Sequence, residues 1–159
     1  MDLNHPAPDF ISIAVSDLND LNGRLLVLFD GHCGLCNRSV RWLLRRDQID
    51  RLRFTPSSSA VGAEAMARHG LDPTLGPSSI LVVENAGTPS EQFRTRSDAV
   101  LALLAQLPAP WPALAALGRL IPRALRDLAY RLIAHYRYRI WGLLDACPIP
   151  TAEERRRFL

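Results

Sequence analysis

Leu25 to Phe29 form an unbroken run of large apolar residues of strand length, the pattern of a strand buried on both faces, and Asp30-Gly31 then supplies a turn. The periodicity changes directly afterwards. Cys36, Val40, Leu43 and Leu44 recur at helical spacing while Arg38, Arg41 and Arg45 keep to another side, which predicts a helix ending near Asp47. Leu35, Ser39 and Trp42 make a third stripe, and because Trp42 is too large to stand bare, cover is expected from helices after Pro112. Arg51 to Thr55 alternates as a second strand stopped by Pro56, and the serines Ser57 to Ser59 can cap a helix from Ala60 to His69 that Gly70 ends. Ile80 to Val83 predicts a third strand, Asn85 to Gly87 a turn, and Glu91 to Arg94 a fourth strand completing a hairpin. Ser97 is expected to cap a helix from Asp98 to Leu107, and weak alternation from Phe10 to Val15, after a loose lead-in at His5 to Pro8, offers an edge strand.

No charged residue occurs from Ala99 to Gly118, but Pro108, Pro110 and Pro112 interrupt the run, so two helices joined by a kinked loop are expected and not a membrane span. Ile121-Pro122 opens a further helix, to which Leu125, Leu128, Leu132 and Ile133 give an apolar side. The order β-α-β-α-β-β-α from Leu25 to Leu107 is that of an α/β, thioredoxin-like fold, here with additional C-terminal helices. A helix joining the first two strands implies a parallel, right-handed crossover, and the hairpin extends the sheet antiparallel. Residues 1–24 read as an N-terminal extension and 25–159 as one domain that includes the helical tail.

Charge and composition change this picture little. At 159 residues and a formal net charge of +3 the chain suits one ordinary core, and its nineteen basic residues are all Arg. The arginines match no nucleic-acid-binding module, and a solvated basic face is the expectation for the cluster on the first helix. Asp2, Asp9, Asp17 and Asp20 stand where a signal peptide would carry positive charge, and no apolar run of the required length is present, so a cytoplasmic, reducing setting is expected.

The chemistry-bearing feature is Cys33-x-x-Cys36 at the start of the first helix. Such spacing puts both sulfurs on one face, and the unpaired N–H groups of the helix start favour thiolate over thiol, which suits thiol–disulfide exchange. A structural zinc site would need two further ligands, and His5, His69, His135 and Cys147 are scattered without a second pair; two inert buried cysteines are the other alternative. No cofactor and no metal are expected.

The stretch FDGHCGLCN, with Asp30, Cys33 and Cys36, resembles the DCC family of thiol–disulfide oxidoreductases, small thioredoxin-like proteins named for those three residues. The likeness extends through Ser97-Asp98-Ala99, Trp111, Ile121-Pro122, Tyr130, Arg137-Tyr138, Gly142, Cys147, Pro150 and Arg157-Phe158-Leu159, about Leu25 to Leu159 in all. The resemblance implies redox activity on protein or small-molecule disulfides, with regeneration by an upstream reductase and the direction of electron flow both left open. In that reading Cys33, nearer solvent, attacks and Cys36 resolves from within, and His32 either assists the thiolate when protonated or is an exposed loop histidine. Asp30 either moves protons or holds the turn, the turn being the stronger expectation. Compared with thioredoxins, His32 replaces a tryptophan and Gly34-Leu35 replaces Gly-Pro, which alters the redox potential, and Pro77 is the candidate for the proline that faces the thiols there. Cys147 is expected to be structural and to stay reduced. The alternative is a non-catalytic adaptor whose tail, with Tyr136, Tyr138, Ile140 and Trp141 among Arg137 and Arg139, contacts a membrane or a protein; a helix covering its own core is the plainer expectation.

Overall fold

The first strand is buried at every position because helices cover both faces of the sheet it centres. In the computed structural model, which describes residues 18–71, 80–145 and 151–159, β1 is Leu25–Phe29 and its side chains alternate between two cores. Leu26 and Leu28 pack with Val61, Ala65 and Met66 of α2 (Ala60–Arg68). Leu25, Val27 and Phe29 pack with Val40 and Leu43 of α1 (Gly34–Arg46) and with Ala99 and Leu103 of α3 (Arg96–Ala105). β2 (Leu52–Pro56) runs parallel to β1, pairing Leu25 with Leu52, while β3 (Leu81–Glu84) is antiparallel to it, pairing Val27 with Val82. β4 (Gln92–Thr95) completes a sheet of order β2-β1-β3-β4, so the chain has a thioredoxin-like fold with additional C-terminal helices.

The local expectations hold with small shifts. Pro56 is the last residue of β2, and among the three serines Ser59 caps α2, its hydroxyl accepting from the Gly62 N–H at 3.0 Å. Ser97 does not cap α3. β4 feeds straight into that helix, with Arg96 at a φ of 53° at the junction, and the Ser97 hydroxyl donates instead to Asp127.

The apolar stretch forms two helices as expected, α3 and α4 (Trp111–Leu120), and α5 spans Arg123–Trp141. Among the described residues no helix is long and apolar enough to cross a membrane. α4 lies close against α3: a Cβ at Gly118 would come within 2.7 Å of Leu101 Cδ2. The packing of α5 reverses expectation. Its inward face is polar: Arg126 bonds Asp98 at 2.9 Å, Asp127 holds Ser97, the Tyr130 hydroxyl accepts the Ile80 N–H at 2.8 Å, and Arg137 and Tyr138 reach Asp30. The apolar side, expected to cover core, faces outward, with Leu125, Leu128 and Leu132 about 58–60% exposed. Polar partners placed at the ends of β1, β3 and β4 win this helix's inner face, and the sheet's own apolar surface is already covered by α1 and α3.

The stripe Leu35-Ser39-Trp42 is not closed over. Trp42 is half-buried, packed edge-on against Trp111 with centroids 4.7 Å apart and stacked under the Arg46 guanidinium at 4.1 Å; the rest of the stripe lines a groove between α1, α3 and α5. The chain's last residues close the edge of β2. Phe158 packs on Phe29 and Phe54, Leu159 donates its N–H to the Phe54 carbonyl at 2.9 Å, and Arg157 pairs with the buried Asp47. The expected strand at Phe10 to Val15, Pro77 and Cys147 lie outside the described residues.

Candidate functional site

β1 delivers Asp30 to the carboxyl edge of the sheet, and the turn after it is pinned from both sides. Asp30 Oδ1 accepts the His32 N–H at 2.9 Å, the Asp30 carbonyl accepts the Cys33 N–H at 3.2 Å, and the Asn37 amide bonds the Gly31 carbonyl at 2.8 Å. This geometry sets Cys33 in extended conformation (φ −86°, ψ 119°) as the N-cap of α1, where its sulfur accepts the Cys36 N–H at 3.3 Å. Cys33 thus occupies the position that serine or aspartate takes at other helix starts, beside the free N–H groups and the positive end of the helix dipole. Both cysteines are free thiols.

The two sulfurs differ in surroundings. Burial, followed by a hydrogen bond to and the charge of the Cys33 sulfur, pushes the Cys36 thiol up to about 12, against the pull of Arg137. Cys36 therefore keeps its proton through neutral pH. Access runs the other way from expectation, for Cys33 is 0% exposed while Cys36 is half-buried and lines the groove. The physical reason is a strap, Gly142 to Leu144, laid across the motif. Cys33 and Leu143 form an antiparallel bridge, the Gly34 N–H donates to the Gly142 carbonyl at 3.2 Å, and the Leu144 N–H to the His32 carbonyl at 2.8 Å. Gly34 permits it, since a Cβ there would lie 2.2 Å from the Trp141 carbonyl oxygen, and Gly142 turns the chain into the strap at a φ of +77°.

Of the four residues expected at the site, all gather around this turn, in different ways. His32 is exposed, and its Nδ1–H donates to the Leu144 carbonyl at 3.2 Å, so the ring fastens the strap. Asp30 is 7% exposed; one oxygen holds the turn, and the other accepts the Tyr138 hydroxyl and faces Arg137 Nη2 at 3.6 Å. Arg137 also donates to the Tyr138 hydroxyl at 2.6 Å, stacks over that ring at 4.4 Å, and its charge bears on both cysteines. Burial raises the Tyr138 hydroxyl above the ordinary tyrosine range. Arg137 and Tyr138 are site neighbours that periodicity could not supply, because a contact with Asp30 across more than a hundred residues leaves no local trace. Their place among the family-like positions was the one available signal.

The groove beside Cys36 has a volume of about 530 Å³, and its wall includes Leu35, Trp42, Leu103, Tyr130 and Trp141. It is apolar apart from the Cys36 thiol, the Tyr130 hydroxyl and the rim residues Ser39 and Arg38.

A dithiol at the first helix start after the central strand of this sheet defines a thioredoxin-like dithiol protein. The family described as DCC1-like thiol-disulfide oxidoreductase matches residues 27–143, and the chain belongs to that family. It is 33% identical over 134 residues to the uncharacterized protein YuxK of Bacillus subtilis, covering 84% of this chain and 93% of that one. It is 32% identical over 126 residues to a chloroplastic DCC family protein of Arabidopsis thaliana, covering 79% of this chain and 70% of that one. No solved structure matches at a significant level.

Proposed function

We propose that the protein is a thiol–disulfide oxidoreductase in which Cys33 is the attacking thiolate and Cys36 the resolving thiol. The observation that carries the assignment is the inequality of the pair: Cys33 sits at the helix cap accepting an N–H, while Cys36 is held protonated, its thiol pushed up to about 12. The thiolate is the nucleophile in exchange, so burial of the thiol does not transfer the role to Cys36. Cys33 sulfur attacks one sulfur of a substrate disulfide, forming a mixed disulfide and releasing the other half as thiolate. Cys36 then gives up its proton to the departing sulfur, attacks Cys33 and expels the second thiol, leaving a Cys33–Cys36 disulfide. Turnover in this direction needs an external dithiol to reduce that disulfide.

The strap over Cys33 has to lift before a disulfide can approach in line, and the apolar groove against Cys36 supports disulfides flanked by hydrophobic residues as substrates. Asp30 acts chiefly by holding the turn and the strap's neighbours Arg137 and Tyr138, and His32 acts through the strap. A reducing compartment suits this chemistry, either the cytoplasm or an organelle such as the one named for the Arabidopsis relative.

Replacing Cys36 with Ser is expected to trap Cys33 in covalent adducts with disulfide substrates, whereas Cys33→Ser should trap none. If neither variant forms adducts and insulin disulfides stay intact in the presence of dithiothreitol, the assignment fails. Equilibration with thiol buffers sets the direction: a potential near about −270 mV indicates a reductase and one near about −120 mV an oxidant.

A further inference from the structure

Helices α4 and α5 both turn apolar residues outward. Leu128, Leu132 and Ile140 of α5 are 58%, 60% and 64% exposed, and Leu117 and Leu120 of α4 are 60% and 79% exposed. On α5 Leu128 and Leu132 are one turn apart on the side opposite the inward network of Arg126, Tyr130 and Arg137, and Ile140 stands on the flank of that stripe. An ordinary surface helix has the reverse arrangement. Isolated exposed leucines need no explanation, but a row of them along the outer face of a helix whose inner face is polar marks a surface with a partner.

Charge identifies that partner. Between Trp111 and Trp141 the only carboxylate is Asp127, held by Ser97 and Arg123, against six arginines, of which Arg123, Arg126 and Arg137 already face carboxylates. Arg131 stands one turn from Leu128 along the edge of the stripe, Arg139 lies two turns beyond Leu132 within it, and both are exposed. Beside that edge lies a second feature, a cavity of about 450 Å³ lined by Arg96, Arg131, His135, Arg137, Tyr130 and Tyr138 and by no carboxylate. A second copy of the chain would bring arginine against arginine across an antiparallel pairing of α5 with itself. Phosphate groups would meet Arg131 and Arg139.

We propose that α5 lies flat on the surface of an anionic phospholipid bilayer, its leucine stripe sunk at the headgroup boundary and Arg131 and Arg139, with the basic cavity beside them, on the lipid phosphates. The helix rests on the surface without spanning, in keeping with the five arginines and one aspartate along its 19 residues. Ile133, on the margin of the stripe, also lines the groove that holds Cys36, so docking would bring the mouth of that groove to the membrane interface. The inference stands independently of the redox roles assigned above.

The test is co-sedimentation of the purified full chain with vesicles of phosphatidylglycerol and phosphatidylcholine, with pure phosphatidylcholine vesicles, and with the anionic vesicles plus millimolar inorganic phosphate. Partitioning is expected to be at least tenfold stronger on the anionic vesicles, to fall with added salt, and to survive inorganic phosphate. The exposed double variant Leu128→Ser/Leu132→Ser is expected to lose binding by tenfold or more, and Arg131→Gln/Arg139→Gln by about fivefold per arginine removed. Neither is expected to lower the melting temperature. Recovery of the wild type in the supernatant with every vesicle overturns the proposal. So does competition by inorganic phosphate with no loss in the leucine variant, which would mark a soluble-anion site, or a leucine-dependent dimer in sedimentation equilibrium that ignores vesicles.

Discussion

Cys36 shows how a single side chain sets the behaviour of the pair. Its thiol is raised from 9.0 to about 12, burial being the largest cause and the Cys33 sulfur the next. Between those values the folded protein binds a proton that the unfolded chain has released, so unfolding is favoured progressively as pH rises. The stabilising effect of the protonated thiol is complete below about pH 9 and is lost as pH climbs towards about 12. Thermal unfolding of the reduced protein is therefore expected to show a midpoint falling over that interval, and Cys36→Ala, measured alongside, should fall less steeply. Parallel slopes would show that burial at Cys36 has no hold on its proton. Asp30 teaches the complementary lesson. Its turn-holding bond to His32 was readable from Asp-Gly spacing, yet its second oxygen bonds Tyr138 and faces Arg137, and nothing local to the Asp30 turn announces them.

At the scale of elements, the strands and α1 to α3 were legible because each has a period that its burial enforces: a continuous run for β1, alternation for β2, a three-to-four repeat for α1. The helices after Pro108 were legible as helices but not in their facing. Periodicity identifies an apolar side and says nothing of where it points, and α5 is held by arginine, aspartate and tyrosine contacts that face inward. The strap was invisible for a related reason. Glycine at 142 signals the end of a helix, whereas its carbonyl bonded to Gly34 reflects a docking of chain ends. Gly34 gives that docking a test. A Cβ at this position meets a backbone carbonyl at 2.2 Å, which cannot rotate away, so Gly34→Ala must push the end of α5 off the motif at a cost of about 1–3 kcal/mol. Cys33, 0% exposed in the closed arrangement, should then react faster with a bulky maleimide. Lower stability with unchanged labelling would mean that something other than the strap shields Cys33.

For the whole molecule, the tail packs against both cores, Leu159 on one and Phe158 on the other, each half-buried. After α5 the chain crosses the cysteine turn and later returns to the far edge of the sheet, where Phe158 pairs with Phe54 as an isolated parallel bridge and the Thr55 hydroxyl donates to the Leu159 carbonyl at 3.0 Å. The edge of β2 is thereby covered at this point, which matters because an open edge strand is a template for association with other chains. The tail also links the two ends of α1: Leu144 bonds His32 before its start, and Arg157 bonds the Leu44 carbonyl and Asp47 at its finish. Phe158 contacts Phe29 at the end of β1, directly before Asp30, so loosening it should be felt at the redox turn. Because Phe158 is half-buried, Phe158→Ala is expected to cost about 2–3 kcal/mol, below the loss for a fully enclosed phenylalanine. The uncovered edge should also make the variant more prone to associate at high concentration. Hydrogen exchange checks the coupling: the amides of β2 and of the Asp30–Cys33 turn should lose protection together in the variant, while those of β4, on the opposite edge, should change no more than global stability requires. Loss of protection confined to β2 would mean that the tail guards the edge alone and leaves the cysteines to the strap.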